Sequence, residues 1–94
     1  MDAREVLERY VSGDVDFKSV TLCNAKLSGA ELIGIRLSGA NLQGADLLFA
    51  YLTRSQLDGA DLRKSKLGGA NLKQANLQNT HLRDADLHGA ILQR

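Results

Sequence analysis

Few residues of this chain are suited to chemistry. His81, His88 and Cys23 are the side chains that could hold a zinc-type metal, which requires three or four such ligands to converge on one point. Arg63, Lys64 and Arg83, with Lys66 and Lys73 nearby, offer positive charge for a phosphate, but no aromatic platform accompanies them. Serines and carboxylates are plentiful, yet a nucleophile needs a base, and that base a third group to orient it. The glycines form no Gly-x-Gly-x-x-Gly phosphate loop: they keep a five-residue beat, which suits corners. The sequence therefore nominates no catalytic residue, no metal-ligand set and no cofactor site, and an enzyme is not expected.

Ninety-four residues make one domain, too few for a large core around an enclosed active site. Twelve basic and eleven acidic side chains nearly cancel, so no global field steers the chain to nucleic acid or an anionic membrane. One cysteine excludes an internal disulfide framework. No apolar run approaches the ~20 residues that span a bilayer. The opening Met1-Asp2-Ala3-Arg4-Glu5 is too charged for a signal peptide, so the expected location is cytoplasmic.

Residues 2–12 are predicted to form a short helix, within an N-terminal cap of residues 1–14. Asp2 and Glu5 make an Asp-x-x-Glu variant of the capping box, and Gly13 suits the position just past the helix end. Val6, Leu7, Tyr10 and Val11 are expected to share one face; Arg4–Glu8 and Glu5–Arg9 are opposite-charge pairs at i,i+4. A helix this short needs its apolar stripe covered. The target is the first end of whatever follows.

From residue 15 a large apolar residue recurs at every fifth position, Phe17 to Leu92, and fifteen of the sixteen are Leu. Ala stands two residues earlier in ten cases. Five steps on an α-helix rotate by about 140°, which scatters the leucines around the cylinder. On a straight strand an odd period alternates faces. The pattern becomes coherent only if the chain turns once per pentad: Ala-x-Leu is a short extended piece with two side chains in and one out, and the next two residues make the corner. A type II turn needs positive φ at the second corner residue, which Gly or Asn tolerates. Phe49, Arg54, Lys64, Gln74 and Asp84 occupy that position elsewhere, and there a second kind of turn, without positive φ, is expected.

Ala40-Asn-Leu-Gln-Gly, Ala45-Asp-Leu-Leu-Phe, Ala60-Asp-Leu-Arg-Lys, Ala70-Asn-Leu-Lys-Gln, Ala75-Asn-Leu-Gln-Asn and Ala85-Asp-Leu-His-Gly resemble the A(D/N)LXX motif of the pentapeptide-repeat family. The resemblance covers residues 15–94, sixteen pentads in unbroken register. It implies an all-β solenoid, a right-handed quadrilateral β-helix with four pentads per coil, hence about four coils capped by one short N-terminal α-helix. At ~4.8 Å per coil the stack is only about 20 Å tall.

Four pentads per coil put residues twenty apart in one column. Lys26, Asp46, Lys66 and Asp86 then alternate in sign and are expected to form a surface charge ladder. His81 and His88 fall on different faces. Arg63, Lys64 and Arg83 come close together, most simply as a solvated face. Leu48, Phe49 and Tyr51 point outward at one corner of the second coil, with Ile33 and Ile91 on the adjoining face. They are either a local lid, with Phe49 folded over its corner, or a patch for a protein partner. A solenoid needs its ends covered. The edge carrying Leu77, Leu82, Leu87 and Leu92 has no cover in this sequence, and a homodimer stacked coil on coil is expected there; docking on another protein and continuation in a longer repeat are the alternatives. The function expected is a non-enzymatic structural or interaction module with an unnamed protein partner, no direct nucleic-acid binding and no membrane. The alternative is the family's DNA-mimicking inhibitors or protectors of DNA gyrase, which the balanced charge disfavours.

Overall fold

The computed structural model describes all 94 residues, Met1–Arg94. One helix, α1 (Ala3–Val11), opens the chain, and the Asp2 carboxylate accepts from the Glu5 N–H at 2.9 Å. The Glu5 side chain does not return the bond; it lies 3.7 Å from Arg9. Gly13, at φ +100°, lets the Gly13 N–H reach the Tyr10 carbonyl and the Asp14 N–H reach that of Arg9, the paired bonds of a Schellman ending. Val6 is fully buried, and Leu7 and Tyr10 pack partly against the same core. Val11 departs from the expected face and is 85% exposed. It lies about 140° around the helix from Val6, beyond the stripe that the first coil can cover.

Beyond α1, every bridge is parallel, one residue long, and joins positions twenty apart, from Asp16–Arg36 to Asn71–Ile91. The chain therefore stacks in coils of twenty residues, with each coil bonded to the next. The Leu22 N–H donates to the Asn41 carbonyl at 2.7 Å, the Asn24 N–H to that of Gln43 at 2.9 Å, and the Val20 carbonyl accepts from the Asn41 N–H at 2.9 Å. This trio repeats down the stack. Extended structure shrinks to a single residue per pentad because a corner follows at once.

All the corners are of one kind, which corrects the expectation of two. From Ser19 to Gly89 the second corner residue has φ near +60 to +70°, including Phe49 (57°), Arg54 (59°), Lys64 (61°), Gln74 (63°) and Asp84 (60°). At each corner the preceding Leu or Phe carbonyl accepts from the N–H three residues later, as from Ala25 to Leu22 at 3.1 Å. Left-handed backbone costs an L-residue about 1–2 kcal/mol. Here the corner N–H also bonds the coil below, as the Phe49 N–H does to the Gly68 carbonyl at 2.9 Å, so uniform stacking outweighs local preference.

The Asp or Asn before the inward Leu or Phe has a local task. The N–H two residues later points out of the ladder, and the side chain accepts from it. This bond forms at Asp16, Asn41, Asp46, Asp61, Asn71, Asn76 and Asp86, at 3.0–3.3 Å. It also explains why the expected charge ladder does not form. Asp46 and Asp86 bond the N–H groups of Leu48 and His88, and no Lys of that column pairs with them within 4.0 Å.

Phe17 and the leucines fill the interior, fully buried down to Leu72. Two serines take the usual Ala position. Ser65 Oγ donates to the Leu62 carbonyl at 2.7 Å, whereas the buried Ser55 Oγ has no partner. An unpaired buried hydroxyl costs about 1–3 kcal/mol. Ser55→Ala should therefore raise the urea-unfolding free energy by about 1 kcal/mol, while Ser65→Ala should bring no comparable gain. Lys64→Gly should stabilise by about 0.5–1 kcal/mol in the same assay, because it relieves the left-handed backbone without removing a buried contact.

Candidate interaction surfaces

The outward apolar corner divides into two arrangements. Leu48 and Phe49 pack downward: a Cβ on Gly68 would come within 3.0 Å of Leu48 Cδ2, and a Cβ on Gly69 would overlap the Phe49 ring. The Gly68-Gly69 pair is thus the bare floor on which Leu48 and Phe49 rest, and this adjacent pair one coil later was the sequence signal for it. One side of the Phe49 ring still faces solvent, and the residue is 66% exposed. Tyr51 and Ile91 are also exposed, in one column, but Asn71 is bridged between them. Ile33 lies in the first coil, where its carbonyl accepts from the Tyr10 hydroxyl at 2.6 Å and ties α1 down. Leu48, Phe49 and Tyr51 thus share the second coil, whereas Ile33 belongs to the first and Ile91 to the fourth.

The basic group is partly neutralised from within. Arg63 folds back on Asp61 through two contacts, Nε–Oδ1 at 2.9 Å and Nη2–Oδ2 at 2.8 Å. Those bonds hold the Asp61 carboxyl down to about 2, against the opposing effect of partial desolvation, and they raise the Arg63 pKa. Arg83 lies in the next coil and has no ion pair. Between them runs a shallow groove of about 390 Å³, floored by Thr80, His81 and Leu82. His81 is bridged beneath Asp61, His88 follows on the next side of the same coil, and Cys23 is exposed in the first coil.

The last coil, residues 75–94, differs from the others. Leu77, Leu82 and Leu87 are only partly buried, and Leu92 is 52% exposed. The N–H groups of Leu77, Leu82, Leu87 and Leu92 and the carbonyls of Ala75, Thr80, Ala85 and Ala90 make no backbone hydrogen bond, although their counterparts one coil higher all do. A second hollow, about 630 Å³ and lined by amides such as Gln74, Asn76, Gln78 and Gln93, opens on the same edge. No helix of the structure is long and apolar enough to cross a membrane.

The Asp61–Arg63 pair carries a linkage consequence. A carboxyl depressed from 3.8 to about 2 stabilises the fold fully above its ordinary value and loses that contribution as pH falls toward 2. The urea midpoint should therefore drop between about pH 4 and 2. The Asp61→Asn variant, which keeps the acceptor for the Arg63 N–H, should show a shallower drop.

A family model described as pentapeptide repeats matches in eight copies, over residues 16–47, 30–69 and 55–94. No curated protein matches the chain by sequence. Among solved structures, a pentapeptide repeat protein of the Arabidopsis thaliana thylakoid lumen is 31% identical with a TM-score of 0.74, over 82% of this chain and 57% of that one. One from the cyanobacterium Cyanothece 51142 is also 31% identical, with a TM-score of 0.55 over 82% of this chain and 63% of that one. A third, from Nostoc PCC 7120, is 38% identical with a TM-score of 0.51, over 86% and 75% respectively. The chain thus spans about three-fifths of the length of the first two. With the repeat model matched along nearly the whole stack and the motif's Asp and Asn each in the same local bond, the chain belongs to the pentapeptide-repeat family.

Proposed function

We propose that this chain is a non-enzymatic protein-interaction module, a right-handed quadrilateral β-helix whose coil 75–94 pairs with the same coil of a second copy. The observation that carries the reading is that coil's edge. Its four leucine N–H groups and four carbonyls lack backbone partners, around apolar side chains that the rest of the stack buries completely. Leucine and alanine fill the interior, and both hollows are open grooves on the outside, so recognition through surfaces and edges is the chemistry available.

The magnitudes support a modest but specific association. An end of about 23 × 22 Å offers roughly 500 Å² per partner, near the lower limit for a specific interface. Association by apolar contact alone would be weak, so backbone hydrogen bonds must contribute. Static light scattering on the 10.2 kDa chain should give twice the monomer mass at micromolar concentration. Leu92→Lys, which places a charge in the proposed contact, should return it to monomer, and Phe49→Ser should leave the dimer intact. A monomer at every concentration, or a dimer indifferent to Leu92→Lys, would overturn this reading.

A further inference from the structure

We infer that the hollow between Arg63 and Arg83 is a binding site for a phosphate group, anchored on the Arg83 backbone N–H. Every Asp or Asn that precedes an inward residue accepts from the N–H two residues later, the one that points out of the ladder. The pentad Thr80-His81-Leu82-Arg83-Asp84 has His81 in that place. Its backbone is spent in the ladder in the usual way: the His81 N–H donates to the Ala60 carbonyl at 3.0 Å, and the His81 carbonyl accepts from the Leu62 N–H at 2.8 Å. The outward Arg83 N–H is left without an acceptor. One coil above, Asp61 Oδ1 fills the same position by accepting from the Arg63 N–H at 3.1 Å. By the twenty-residue repeat, the equivalent oxygen of the fourth coil would lie beside His81. The space there is the open hollow of about 390 Å³ lined by Arg63, His81 and Arg83. It lies on the outside of the stack and needs no second copy.

Other outward N–H groups are open too, such as that of Ile33, whose pentad carries Glu31. The charge around Arg83 sets it apart. Arg83 makes no ion pair, and neither does Asp84 beside it or Lys64 one coil above. Asp61, the carboxylate at the upper rim, is committed to Arg63, taking its N–H and Nε on Oδ1 and its Nη2 on Oδ2. That clamp orients the Arg63 guanidinium and leaves its Nη1 without a partner, so one wall of the hollow is set before any ligand arrives. The two arginine columns step by one coil, ~4.8 Å, so the oxygens of one tetrahedral group can take the Arg83 N–H and reach both guanidinium groups. A carboxylate has only two oxygens, in one plane. Asp61 cancels part of the field and the hollow is open to water, so the affinity expected is millimolar.

Amide NMR on the nitrogen-labelled chain, titrated with sodium phosphate at constant ionic strength, reads the anchor directly. The Arg83 amide resonance should move saturably, and the equally open Ile33 amide should not. Sodium acetate at the same ionic strength should leave Arg83 unmoved. No saturable movement with phosphate would overturn the site, and an equal movement with acetate would overturn the ligand class. O-phosphoserine distinguishes the source of the group. Binding tighter than that of inorganic phosphate assigns the site to a phosphorylated protein, weaker binding assigns it to the free ion, and the phosphate chemistry stands in either case.

Two substitutions separate the anchor from the charges. His81→Ala removes the imidazole and leaves the Arg83 N–H open. His81→Asn also removes the imidazole but brings an amide oxygen to that N–H, as Asn41, Asn71 and Asn76 do for theirs at 3.0–3.1 Å. An Asn next to Asp61 in this column already occurs, at Asn41. Phosphate should bind His81→Asn about fivefold or more weakly than His81→Ala. Equal affinities would mean that charge alone holds the anion, and the anchor would be wrong. Arg83→Gln, which keeps the N–H and removes the guanidinium, should weaken binding by a similar factor; unchanged binding there would count against the site.

Discussion

When a leucine carbonyl accepts from the N–H three residues on, the residue before that N–H is held near φ +60°, and the chain leaves the corner in a new direction. The corner N–H is then free to bond the coil below, as is the N–H of the leucine itself. Local turn and long-range ladder thus share the same backbone, and neither can change without the other. A corner that adopted a different turn would rotate its N–H out of the ladder and shift the register of every coil beneath it. This coupling explains why Phe49 and Lys64 accept a conformation that their types disfavour. A penalty of about 1–2 kcal/mol at one residue is smaller than the loss of several stacked bonds.

The sequence made the pentad, the inward leucines and the capped helix legible, because each rests on periodicity or on a local cap, and the resemblance to the pentapeptide-repeat family supplied the twenty-residue columns. What it concealed came from competition between neighbours. The corner positions of Arg54 and Gln74 look unfit for positive φ by propensity, and only the stack reveals why they comply. The column of Lys26, Asp46, Lys66 and Asp86 looks like ion pairing when charge alone is counted. A carboxylate two residues from an otherwise unpartnered N–H has a nearer and less entropically demanding partner than a lysine one coil away. The same competition sends Asp61 to its own N–H and then to Arg63, so the most concentrated basic region is less positive than its residue types imply.

Shape complementarity between coils was half visible. Gly68-Gly69 reads as one more corner, yet its lack of side chains is used by Leu48 and Phe49 one coil above. Seeing this needs the twenty-residue offset and the downward tilt of those side chains together. The offset follows from the four pentads per coil that the family resemblance implies. The tilt does not, since an outward corner residue is free to extend into solvent. The question of lid or patch at Phe49 is therefore one of degree: its ring covers the glycine floor with one face and offers the other.

The two edges of such a stack are not equivalent, and the difference constrains how it can be covered. Coils bond in one sense, so the upper edge exposes mainly carbonyls, such as those of Asp16, Thr21, Lys26 and Glu31, and the lower edge mainly N–H groups. A parallel coil added below would use the corner N–H groups of Asn79, Asp84 and Gly89 as well as the leucines. Head-to-tail stacking would thus satisfy more backbone, and it would propagate without closing. The helix α1 stands in its way. With Val6 buried, Tyr10 bonded to the Ile33 carbonyl and Arg9 stacked 4.9 Å from the Phe17 ring centroid, the upper edge is already occupied. The same nine-residue segment that seals the core at this end therefore also blocks its backbone from further coil-on-coil stacking.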